Sequence, residues 1–85
     1  MTARAILDEA AAVLEVRGKS YGDAAAAFAA IAERWSATLG RPVTPAQVVL
    51  CMVDLKLARL ARDPEYRDSV VDVIGYAALL PEVIR

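Results

Sequence analysis

Histidine is absent from this chain, and cysteine occurs once, at Cys51. Without histidine there is no imidazole general base and no Ser-His or Cys-His nucleophile system. A single cysteine excludes an internal disulfide and a cysteine-based zinc site. An excess of positive charge is missing too: 10 Lys and Arg stand against 11 Asp and Glu, a formal net charge of −1. That balance excludes general binding to nucleic-acid backbone and leaves only a local basic patch open. Long apolar runs are also lacking. The longest dense one, Val48 to Val53, is far too short to cross a bilayer. The N-terminal stretch "AILDEAAAVL" is interrupted by Asp8 and Glu9, which the core of a signal peptide would not carry. No membrane partner is expected, and the expected location is the cytoplasm.

What the chain does have is apolar bulk. Its 85 residues are 58% hydrophobic, with a mean hydropathy of +0.38. The length suits one domain over residues 1–85 with one modest core. The apolar content is high for that size, so part of it is expected in a homo-oligomer interface.

The spacing predicts four helices and no strand. The first starts after Thr2 as N-cap and runs to about Val16, with Ile6, Ala10, Val13 and Leu14 as its apolar stripe. Gly18 is expected to end it, ahead of a turn "RGKSYGD". Asp23 caps the second helix, where Phe28, Ile31, Ala32, Trp35 and Leu39 repeat at helical spacing before Gly40. Thr44-Pro45-Ala46-Gln47 reads as a capping box with proline at the first helical position. The helix it opens is apolar almost all round from Val48 to Ala61 and is expected at the centre of the fold. Asp63-Pro64 repeats the cap-then-proline signal for the fourth helix, and Pro81 should end that helix near Leu80. The fold class is all-α, an antiparallel four-helix bundle.

Charge stands where this helical hairpin should be apolar. Lys56 and Arg59 lie three apart on the third helix, Asp68 and Asp72 four apart on the fourth. Lys56 has no acidic partner on its own helix; Arg59 reaches only Asp63. At about 1.5 Å rise per residue, a hairpin turning at Asp63 sets Lys56 level with the gap between Asp68 and Asp72. Ionised groups near a core must be paired, hydrated or bound. Two readings follow. In one, the four residues are an ion-pair cluster that fixes helix register. In the other, Asp68 and Asp72 hold Mg²⁺, with Glu9 as an added carboxylate, while Lys56 and Arg59 bind phosphate oxygens.

The remaining candidates also read two ways. Arg17 and Lys19 in "RGKSYGD" offer phosphate contacts and Tyr21 a stacking surface; equally, the segment is a capped turn. Gly75 marks the close approach of a helix or of a ligand, and Tyr76 is a half-buried packing residue or a base-stacking one. Cys51 is expected to be an inert buried thiol.

These elements resemble a family of small phage and prophage proteins. The resemblance rests on Tyr21-Gly22-Asp23, on Leu55-Lys56 with Arg59-Leu60, and on Asp68-Ser69 with Asp72 and Gly75-Tyr76. More remotely, the last two helices are similar to the all-α nucleoside triphosphate pyrophosphohydrolases of the MazG type. That resemblance implies a MazG-like bundle, Mg²⁺ held by carboxylates of two adjacent helices, and cleavage between the α- and β-phosphates of a nucleotide. Asp72 matches the second acidic motif, Asp68 is displaced from it by one position, and further ligands would have to come from Glu9, Asp23 or a second subunit. Asp68, Asp72 and Lys56 would be the catalytic residues. Lys56, Arg59, Tyr21, Lys19 and Tyr76 would bind the ligand, in the host cytoplasm for a phage product. The chain departs from the MazG pattern in two places. Ser69 stands where the second motif has glutamate, and the third helix carries Asp54 in place of a glutamate cluster. The alternative is a non-enzymatic helical oligomer that sequesters a nucleotide signal or binds a protein partner.

Overall fold

The computed structural model describes residues 2–84. Among them are four α-helices and no strand: α1 (Ala3–Tyr21), α2 (Ala24–Leu39), α3 (Pro45–Arg62) and α4 (Arg67–Val83). The N-caps of α1, α2 and α3 are those the sequence signals. The Thr2 hydroxyl accepts from Ala5 N–H at 3.1 Å, and the Asp23 carboxylate from Ala26 N–H at 3.2 Å. At α3 the box is complete, with Gln47 N–H donating to Thr44 Oγ1 and Thr44 N–H to Gln47 Oε1. Each such bond satisfies a helix-end donor that no intrahelical carbonyl reaches.

Three boundaries differ from expectation. Gly18 does not end α1, which continues a further turn to Tyr21. Gly22 takes the stop instead, with φ 77° and ψ −146°, a conformation open to glycine alone. Asp63-Pro64 does not open α4. Asp63 ends α3 and closes a tight turn: its carboxylate accepts from Glu65 N–H at 3.1 Å and its carbonyl from Tyr66 N–H at 3.1 Å. Aspartate at the head of a turn with proline next satisfies the same local signal as a helix cap. Pro81 does not end α4 either; the helix runs on to Val83, which is buried in the core. Proline forfeits one hydrogen bond there, and burial of Val83 compensates for it.

The helix that touches all the others is α4, not α3. α3 packs on α4 and α2, α1 packs chiefly on α4, and α1 and α3 do not meet. An all-round apolar pattern therefore does not place α3 at the centre. One of its faces is buried through Val48 and Val49, and the other leaves Leu50, Leu55 and Leu57 about half exposed. The interior falls into two clusters. The larger joins Phe28, Ala32, Val48, Val49 and Val83; the smaller joins Ile6 and Ala10 of α1 to Val71 of α4. Contact between α1 and α2 is slight, so the bundle is open along that seam.

Candidate site in the seam between the first two helices

Two of the four hairpin charges meet. Lys56 Nζ lies 3.1 Å from Asp72 Oδ2, and both side chains are only 13% exposed. The expected register of α3 against α4 therefore holds at this pair. The second carboxylate oxygen, Oδ1, accepts from the Arg17 guanidinium of α1 at 3.2 Å. Asp72 is thus forked between cations from two helices, which compensates a carboxylate largely removed from water. The other two charges do not join. Arg59 and Asp68 are exposed, and among the described residues neither forms an ion pair.

The carboxylates expected to take Mg²⁺ are likewise apart in role. Glu9 pairs with Arg67 across the α1–α4 seam. Asp72 is committed to Lys56 and Arg17, and Asp68 faces solvent. Among the described residues, no three acidic or cysteine side chains converge on one point. This donor set does not fit a Mg²⁺ ion, which takes hard oxygen ligands in near-octahedral array. Ser69 is 1% exposed, and its hydroxyl has no hydrogen-bond partner among the described residues. Cys51, expected to be buried, is exposed on the outer face of α3.

The open seam itself is a groove of about 480 Å³. α1 contributes Arg17, Gly18 and Tyr21, α2 contributes Phe28, and α4 contributes Gly75 and Tyr76. The two glycines keep it wide. A Cβ built on Gly18 meets nothing within 4 Å, and one on Gly75 meets only Leu14 Cδ2 at 3.8 Å. Gly75 is therefore not imposed by a neighbouring helix backbone; it leaves space. Tyr76 stands edge-on to Phe28, ring centroids 6.4 Å apart and planes at 79°, a favoured aromatic geometry. Tyr21 is 77% exposed on the lip. Arg17 spends one nitrogen on Asp72 and keeps further donors for a second acceptor.

Of the expected ligand residues, the groove gathers Arg17, Tyr21 and Tyr76; Lys56 stands behind it through Asp72. Lys19 is exposed and outside the lining, as is Arg59. Sequence reasoning missed Phe28 as part of the wall, because its spacing marks it only as core. It also missed Arg17 as the second partner of Asp72, because ending α1 at Val16 moves Arg17 into a loop. No local signal recovers it: "EVRGKSY" mixes the good helix formers Glu15, Arg17 and Lys19 with Val16, Gly18, Ser20 and Tyr21, which are not.

A family profile described as "Domain of unknown function (DUF6378)" matches residues 5–84. The chain is also similar to the Gene 55 protein of Mycobacterium phage L5, 38% identical over 68 residues. Those residues are 79% of this chain and 44% of the phage protein, so the chain spans less than half of that relative. No solved structure matches the chain with significance.

Proposed function

The chain belongs to the DUF6378 family, and from that premise we propose a phage-associated protein that binds a nucleotide-like ligand in the α1–α2–α4 groove. The observation that carries the reading is the conjunction of Tyr21, Tyr76 and Phe28 with Arg17 in one open groove. The groove's size is in the usual range for small-molecule sites, roughly 300–1,000 Å³. Aromatic walls suit a flat base, and base–aromatic stacking contributes about 1–3 kcal/mol per base. Arginine suits a phosphate, which it meets with paired donors. A phosphate at the rim takes the donors that Arg17 does not spend on Asp72.

The binding reading is favoured over MazG-like hydrolysis because Glu9 and Asp72 are spent on Arg67, Lys56 and Arg17. Calorimetric titration with nucleoside mono-, di- and triphosphates and cyclic nucleotides tests it. At least one should bind, Tyr21→Ala and Arg17→Ala should weaken it tenfold or more, and Arg59→Ala should leave it unchanged. Absence of binding across the panel defeats the proposal. Release of pyrophosphate from a triphosphate in the presence of Mg²⁺ would replace it with the hydrolytic reading.

A further inference from the structure

The outer face of α3 carries apolar side chains that nothing in the fold covers. Leu50 and Leu57 are 50% and 47% exposed, and Ala58 and Ala61 are exposed beside them. Residues 50, 54, 57, 58 and 61 follow helical spacing, so they form one stripe, with Leu55 at its edge. A single charge, Asp54, interrupts it. Three and four residues away from Asp54 on the same helix stand Leu50, Cys51, Leu57 and Ala58, so Asp54 has no cation within helical reach. Arg62, in the last turn of α3, has Ala58 and Arg59 at those distances. Among the described residues neither Asp54 nor Arg62 forms an ion pair.

We propose that this face binds a second copy of the chain, α3 against α3 antiparallel, with the two-fold axis passing beside Ala58. Charge sets the register. Antiparallel helices pair residues whose numbers have a constant sum, and a crossing at Ala58 sets Asp54 of each copy level with Arg62 of the other. Both lone charges are then compensated, twice by symmetry, as an isologous interface requires. The same register brings Leu55 level with Ala61 of the other copy, and the small Ala58 lets the two backbones approach at the crossing. Parallel pairing in register sets Asp54 against Asp54, and an antiparallel crossing at Asp54 does the same. α3 ends at Arg62, so this register overlaps only residues 54–62 of the two copies, about 13 Å of helix, and sets Leu50 of each copy beyond the end of the other's α3. Such a contact is at the low end of interface sizes. The dimer is therefore expected to exchange with monomer and not to be permanent. The groove between α1 and α2 takes no part in it.

Sedimentation across a hundredfold concentration range tests the proposal. The wild-type chain should shift from monomer to dimer. Ala58→Glu, an exposed position whose helical circular dichroism should be unchanged, should stay monomeric. Asp54→Arg and Arg62→Asp should each weaken the dimer tenfold or more, and the double exchange should restore it. A Cys51→Ser chain carrying Ala58→Cys should be cross-linked to a dimer by a short bismaleimide. A wild-type chain that stays monomeric throughout overturns the proposal. So does a dimer indifferent to Ala58→Glu, or charge exchanges that the double variant does not rescue.

Discussion

At the scale of single residues, the charged side chains and the glycines divide the work. Asp72 was legible in the sequence as a charge needing compensation, and so was Lys56 as its partner across the hairpin. The role of Arg17 was not, because it depends on α1 persisting past Gly18, and helix length is decided by packing that no local spacing records. Arg59 and Asp68 show the converse: equal spacing on a helix does not select which charge turns inward. Gly75 lies inside α4, where glycine costs about 0.5–1 kcal/mol relative to alanine. An added Cβ meets Leu14 at 3.8 Å, ordinary contact. Gly75→Ala is accordingly expected to stabilise the fold by about 0.5–1 kcal/mol. The same methyl narrows the groove that Gly75 lines, so ligand affinity should fall while the melting temperature rises. Thermal melts paired with calorimetric titration check both signs. A gain in stability with unaltered affinity would place the ligand elsewhere.

At the scale of helices, three of the four starts were legible, and so was the stop of α2 at Gly40, while the start of α4 and the stops of α1 and α4 were not. Thr2, Asp23 and the Thr44–Gln47 box each act through their own side chains, so four residues of sequence contain the whole interaction. The stop of α4 lies in tertiary structure, since Val83 stays helical because it fills the larger core beside Phe28 and Val48. Asp63-Pro64 misleads because a turn and a cap use the same chemistry. The stop of α1 is the strict one. Gly22 holds φ 77° and ψ −146°, with open space around a would-be Cβ. The cost of a side chain there is purely one of backbone conformation. Gly22→Ala is expected to destabilise the chain by about 1–3 kcal/mol, read as a lower midpoint in urea with an unchanged slope. An alanine variant as stable as the parent would mean that the α1–α2 connection takes another path.

At the scale of the whole molecule, the all-α class was legible from periodicity, while the choice of central helix was not. α3 looks central because apolar residues surround it, yet surface and core claim opposite sides of it; α4, with fewer such signals, touches every other helix. The two interior clusters imply unequal protection. α1 is held by Ile6 and Ala10 against Val71, by Arg17 on Asp72 and by Glu9 on Arg67, all on α4. α2, α3 and the end of α4 share the larger cluster. Native-state hydrogen exchange should therefore show α1 amides exchanging through an opening that leaves α3 and α4 protected. Uniform protection across all four helices would contradict a separable α1. The slight contact between α1 and α2 then has a further effect. A molecule whose α1 has swung off α4 has no groove at all, so only the closed fraction of the population is competent to bind, and measured affinity scales with that fraction. Loosening α1 at Ile6, on a part of the helix outside the groove lining, will lower affinity once the open form is populated, and a saturating ligand will restore the closed state by mass action.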